Sequence, residues 1–139
     1  MNVPDWVDGY VGIPFLDGGR TRLGCDCYGL LWLTLREQFN VILPSYENAP
    51  SALEREEASA MIAGRLEVDR WVRVTDPRPG DGVLLRVANR PWHVGVVVGP
   101  NLFLHVAPGQ IYSAVERLDT PRWNRCVIGF YRHEAMRVE

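Results

Sequence analysis

The chain contains no lysine. All 15 of its basic residues are arginine, which reads as the coding bias of a GC-rich genome and says little about function. No apolar run approaches the ~20 residues that a membrane-spanning helix needs, so membrane insertion is not expected. The stretch Met1 to Tyr10 lacks the basic-then-apolar layout of a secretory signal, and folding is expected to begin almost at the first residue. Charge of one sign is also missing. A formal charge of −2 and a pI near 5.9 provide no basic field, and none of the usual DNA- or RNA-reading motifs is present, so nucleic acid is not expected as a partner. Three cysteines, Cys25, Cys27 and Cys126, are too few and too badly spaced for a disulfide framework, which leaves at least one thiol for other chemistry.

What is present suits one compact unit over residues 1–139, with 47% hydrophobic residues to furnish a core. Pro4 followed by Trp6, Val7 and Tyr10 predicts a short helix over Val3–Tyr10. Gly12, Pro14, Gly18, Gly19 and Gly24 then predict a winding loop without regular structure up to Cys25. From Cys27 to Phe39 the pattern is that of a buried helix with Asp26 as its N-cap. Cys27 therefore falls in the first helical turn, where unpaired N–H groups and the macrodipole favour a thiolate. Ser51 and Glu54 form a capping-box signature for a second helix running to about Ile62, with Gly64 as its stop. Its charged face, Glu54 to Glu57, reads as solvated scaffold. Beyond Asp76 five strands are expected, at Val83–Val87, His93–Val98, Leu102–Val106, Ile111–Val115 and Cys126–Arg132. The sum is an α+β fold in which N-terminal helices pack on one face of a C-terminal antiparallel sheet of about five strands.

A hydrolytic cysteine needs a base within hydrogen-bond reach and a third group that orients the imidazole. Cys27, His93 and His105 are the candidates. Gly99-Pro100-Asn101 is a natural hairpin turn between the two histidine segments, and such a hairpin can place both rings on one sheet face. In that arrangement His93 takes the thiol proton, His105 holds the far nitrogen of His93, and backbone N–H groups at the start of the Cys27 helix hold the oxyanion. Asp26 serves as the cap and, in an open alternative, also orients a substrate amine. Trp92, beside His93, is placed near substrate. Cys25 and Cys126 read as packing, Cys126 inside an apolar strand; His133 reads as a surface residue, and Asp81 as a turn residue that satisfies backbone donors. A zinc site of Cys25, Cys27, His93 and His105 is the competing chemistry, disfavoured because a Cys-x-Cys pair is tighter than the usual ligand spacing.

Gly24-Cys25-Asp26-Cys27-Tyr28-Gly29-Leu30 resembles the Gly-x-Asp-Cys-x-Gly-Leu nucleophile motif of NlpC/P60 peptidases. Gly12-Ile-Pro-Phe15 through Gly18-Gly19, the Pro79-Gly80-Asp81 turn, His93-Val-Gly and Phe103-Leu-His105 are similar to further family segments in the same order. The resemblance implies a papain-like fold, no metal and no cofactor, and cleavage of peptidoglycan stem peptides near the D-glutamyl to diamino-acid bond. Arg20-Thr-Arg22 and Leu43-Pro-Ser-Tyr46 look most like the phage-tail and gene-transfer-agent branch. That branch implies a protein made in the host cytoplasm, carried in the virion among other tail-tip or hub proteins, and acting on the cell wall in the periplasm during DNA delivery. Two positions depart from the family pattern. Phe15 stands where members often have a tyrosine that helps the oxyanion site, and Tyr28 where many have a serine that helps bind a substrate amine. Both are therefore expected to line the substrate site, and both motivate an alternative: a structural tail-tip protein with a weak or inactive papain-like site.

Overall fold

The computed structural model describes residues 3–45, 71–87, 90–107 and 109–136, with the side chains of 90–92 left aside. A 3-10 helix, Asp5–Tyr10, opens the chain where a short helix was expected, and Val7 N–H donates to the Pro4 carbonyl at 3.1 Å. The glycine-rich stretch holds a two-stranded ribbon, β1 (Arg20–Thr21) against β2 (Gly24–Cys25), where no regular structure was expected. Two-residue strands are too short to leave a periodic signal. Helix α1 follows over Cys27–Phe39, with the bounds read from the sequence. Asn40 ends it in the left-handed region at φ 56°, its N–H returning to the Leu35 carbonyl, an ordinary asparagine C-terminal stop. The second helix expected from Ser51 lies outside the described residues.

The remaining strands are β3 (Trp71–Val74), β4 (Gly82–Val87), β5 (Arg90–Gly99), β6 (Leu102–His105), β7 (Ala114–Arg117) and β8 (Val127–His133). They form one antiparallel sheet in the order β3-β8-β4-β5-β6-β7. Among the described residues the sheet thus has six strands, not about five: β3 pairs with β8 on one edge and leaves little sequence signal because it is short and carries Arg73 at its centre. β7 starts three residues later than expected, and Ile111 and Tyr112 are exposed ahead of it, Tyr112 in an isolated antiparallel bridge with Pro14 rather than in the sheet. His133 is buried rather than superficial, because β3 brings Trp71 edge-on to its ring at 5.3 Å. Cys126 precedes β8 in a turn and is half-buried, not a strand core residue.

Alternation divides the sheet between two apolar clusters. Leu84, Val94, Val96, Val98 and Leu104 pack with Leu30, Leu31, Leu33 and Leu35 of α1. On the other face Val83, Leu85, Val97 and Phe103 pack with Leu118 and Trp123. Among the described residues no helix is long and apolar enough to cross a membrane.

The start of α1 is held by one carboxylate. Asp26 Oδ1 accepts from Gly29 N–H at 2.7 Å and from Arg20 Nη1 at 3.0 Å, while Oδ2 accepts from Gly18 N–H at 2.9 Å. Gly29 has to be glycine: a Cβ there would stand 2.0 Å from the Gly19 carbonyl oxygen. Arg20 Nε donates to the Ser45 carbonyl at 2.7 Å, Tyr28 Oη to that of Pro44 at 2.5 Å, and Trp32 Nε1 to that of Leu43 at 2.9 Å. Three consecutive carbonyls are thereby pinned against the helix and the ribbon. Asp26→Ala removes the cap and leaves a buried guanidinium without its counter-ion, so it should cost about 3–5 kcal/mol in urea unfolding. Asp26→Asn, which keeps the cap acceptor, should cost less; an unchanged midpoint for the alanine variant would contradict this account.

Candidate active site

Cys27 is the first residue of α1 and is buried. α1 packs on β5 and also touches β6, so the helix that starts with this thiol lies against the two histidine strands. Along β5 the side chains of Val94, Val96 and Val98 face α1, while His93 shares the other side with Leu85, Val97 and Trp123. Asn101, at φ 57°, turns the chain back into β6 after Gly99-Pro100, as the hairpin expectation required. His105 then comes to His93: Nε2 of His93 and Nδ1 of His105 are 2.8 Å apart, and both rings are fully buried. Gly95 makes the approach possible, since a Cβ there would lie 2.7 Å from the Phe103 ring and 3.3 Å from His105 Cβ.

The contact continues to a residue the sequence reading missed. His105 Nε2 lies 2.7 Å from Glu116 Oε2. Glu116 Oε1 accepts from Trp123 Nε1 at 3.0 Å and stands 3.9 Å from Arg122 Nη1. Trp123 stacks on His93 with ring centres 6.0 Å apart and meets His105 edge-on at 5.1 Å; Phe103 stacks on His105 at 4.1 Å. Glu116 escaped notice because the strand was expected to end at Val115. The available signal was alternation: continued one residue further, β7 puts position 116 opposite Phe103, on the histidine side.

Burial, the neighbouring His105 and the Arg122 charge together push His93 down to about 3 from its ordinary 6.5. His105 is also lowered, chiefly by burial, although Glu116 pulls the other way. Burial alone would raise Glu116, but the hydrogen bonds from Trp123 and His105 and the charge of Arg122 outweigh it and hold the carboxyl low. At neutral pH the site therefore contains two neutral imidazoles ending on a carboxylate. The Cys25 thiol, by contrast, is pushed up to about 12, mainly by burial and then by Asp26, and donates to the Thr21 carbonyl at 3.2 Å. It is an inert packing group.

The residues expected to bind substrate are distributed unevenly. Asp26 spends its oxygens on Gly18, Arg20 and Gly29. Tyr28 is buried with its hydroxyl on Pro44 and Arg20 over its ring at 5.4 Å. Phe15 is half-buried beside Cys25, bridged to it in parallel, and its N–H donates to the Ile111 carbonyl at 3.0 Å. The backbone of Trp92 lies in β5 and its side chain outside the described part. Asp81 is a buried turn residue that accepts from Arg78 N–H at 2.7 Å and pairs with both ends of the Arg132 guanidinium. Among the described residues no group of three or more His, Cys, Asp and Glu side chains is set to hold a metal ion.

The sequence model of the NlpC/P60 family matches residues 12–132. The Murein DD-endopeptidase MepS/Murein LD-carboxypeptidase of Escherichia coli (strain K12) is 32% identical over 123 residues, which cover 87% of this chain and 54% of that protein. A "Probable endopeptidase" of Haemophilus influenzae is 28% identical over 120 residues, covering 84% of this chain and 63% of its own. The chain thus spans little more than half the length of these curated relatives. Among solved structures, the NlpC/p60 domain of peptidoglycan hydrolase SagA superposes with a TM-score of 0.59 at 17% identity, covering 90% of this chain and 91% of its own. An NlpC/P60 family protein from Bacillus cereus ATCC 10987 gives 0.66 at 17% identity, covering 96% of this chain and 41% of its own.

The depressed histidines fix the sign of an acid effect. Below about pH 6.5 the unfolded chain takes up a proton at His93 that the folded protein refuses until about pH 3. Stability from this group is complete above 6.5 and falls as pH drops through that window, by about 1.4 kcal/mol per pH unit. His105 acts in the same direction. Urea unfolding at pH 7.5, 6 and 5 should show this loss, and His93→Asn should flatten it; a slope unchanged in the variant would refute the assignment.

Proposed function

The chain belongs to the NlpC/P60 family, and from that premise we propose that it is a cysteine peptidase that hydrolyses peptidoglycan stem peptides, with Cys27 as nucleophile, His93 as base and His105 as the group that orients His93. The observation that carries this reading is the hydrogen-bonded pair of buried histidines on strands against which the Cys27 helix packs. His93 spends Nε2 on His105, so Nδ1 is the nitrogen that takes the thiol proton. His93 is neutral at rest, so its Nδ1 lone pair takes the proton as sulfur attacks the scissile carbonyl. The first backbone N–H groups of α1 hold the tetrahedral oxyanion. On collapse the C–N bond breaks, the His93 proton goes to the leaving amine, and a thioester remains on Cys27. Water, deprotonated by the same nitrogen, then releases the acid and restores the thiol.

The proposed bond lies between D-glutamate and the diamino acid. The 32% identity to a protein named as a DD-endopeptidase supports a second reading, cleavage at the D-amino-acid link. The phage-tail or gene-transfer-agent setting, with other tail-tip proteins as partners and the virion as location, is supported by Arg20-Thr-Arg22 and Leu43-Pro-Ser-Tyr46. A structural tail-tip role with a weak site remains the alternative reading of Phe15 and Tyr28.

Incubated with wall sacculi, the purified protein should release stem-peptide fragments whose masses identify the bond cut, and Cys27→Ala should lower the rate by at least about a thousandfold. His93→Ala should also slow alkylation of Cys27 by iodoacetamide, because the thiol loses its base. A Cys27→Ala protein that cuts like the parent would overturn the peptidase reading, and alkylation unaffected by His93→Ala would overturn the pairing of thiol and base.

A further inference from the structure

We infer that Glu116 is a positioning residue that sets the tautomer of His93 through His105, so that the lone pair of the base is at Nδ1. The role in catalysis rests on the peptidase reading above; the tautomer itself does not. A carboxylate only accepts hydrogen bonds, whereas a neutral imidazole has one donor and one acceptor nitrogen. Glu116 Oε2, 2.7 Å from His105 Nε2, therefore places the His105 proton on Nε2. His105 Nδ1 is then an acceptor, and the 2.8 Å contact to His93 Nε2 places the His93 proton there. The acceptor-only end of the chain thus fixes the polarity of both links, two rings away from the reacting atom.

The surroundings keep the carboxylate in that role. Trp123 Nε1 donates to Oε1 at 3.0 Å, and Arg122, with its guanidinium carbon 4.6 Å above the Trp123 ring, adds positive charge 3.9 Å from the same oxygen. Both neighbours favour the ionised carboxyl, and neither competes for Oε2. Trp123 also stacks on His93, so one side chain packs the base and holds the group that polarises it. The arrangement extends the principle by which a carboxylate orients a catalytic imidazole, with a second imidazole inserted between them.

In Glu116→Gln the amide can either accept from His105 Nε2 or donate to it, and the polarity is no longer imposed. Glu116→Leu removes the partner altogether. Long-range 1H–15N spectra of protein labelled with 15N-histidine read the tautomers directly, without any substrate. The parent should show His93 and His105 both protonated at Nε2. Both variants should shift part of the His93 population to the Nδ1–H form, and sacculus hydrolysis should lose roughly ten- to a thousandfold in kcat with KM little changed. A parent spectrum with His93 protonated at Nδ1 would overturn the inference, even if neither variant folded. So would two folded variants that keep the parent tautomer. If the parent had the expected tautomer but cut no sacculi, the peptidase reading would fail while the role of Glu116 in setting the ring would stand.

Discussion

The position of the Cys27 thiol depends on the carboxylate of Asp26. This side chain is almost fully buried, yet it is satisfied by the Gly29 N–H, the Gly18 N–H and the Arg20 guanidinium. Each donor comes from a different part of the local structure: the first turn of α1, the turn before the ribbon, and β1. A buried carboxylate tolerates little displacement from such partners, because the lost hydrogen bonds are not replaced by water. The helix start, the ribbon and the loop before it therefore move as one body. Gly29 allows the body to close up, and the three carbonyls at 43 to 45 are fastened to the same body through Trp32, Tyr28 and Arg20. Glycine-rich sequence here yields a rigid mount, not a slack loop.

β5 provides the second requirement by having two distinct faces. Its valines fill the layer beneath α1, which anchors the strand, and its histidine points into the aromatic cluster of Phe103 and Trp123. The apolar side supplies rigidity and the other side supplies low polarity, which is what lowers the histidines. The motif His93-Val-Gly then has a physical reading at every position. The histidine is the base candidate, the valine holds the strand to the helix, and the glycine clears the way for His105 and Phe103.

Much of this was legible in the sequence wherever one residue type has a narrow range of uses. Asp26 before an apolar run indicated the helix start to the residue, and Gly-Pro-Asn between two β-rich runs indicated the hairpin that unites His93 and His105. The residues that were misread depended on contacts no local pattern encodes. β3 is a four-residue edge strand whose identity comes from pairing with β8, more than fifty residues away, and without it His133 looked exposed. β7 was shifted because Ile111 and Tyr112 look like strand residues, and in the fold they do bridge, but to Pro14 and Phe15 far away in sequence and not to β6; the shift hid Glu116. Cys126 looked like core because Val127 and Ile128 follow it, but its N–H closes a turn onto Trp123 and only its carbonyl reaches β4, at Arg86 N–H. Periodicity identified elements well and their edges poorly, and part of the relay lay on an edge.

Ser113 ties the first turn of the chain to its far end. Its hydroxyl donates to the Tyr10 carbonyl at 2.5 Å and accepts from Ile13 N–H at 2.9 Å, and its backbone exchanges two further bonds with Gly12 and Ile13. These links span about a hundred residues, a separation that slows folding much more than it costs in loop entropy. The segment from Tyr10 to Phe15 meets Glu37 and Cys25 early in the chain, but its four bonds to Ser113 form only once that distant residue has been made. A ribosome-bound chain short of that point can hold α1 and the β4–β5 hairpin but lacks those four bonds. The helix that carries the thiol can thus form well before the segment in front of it is locked in place.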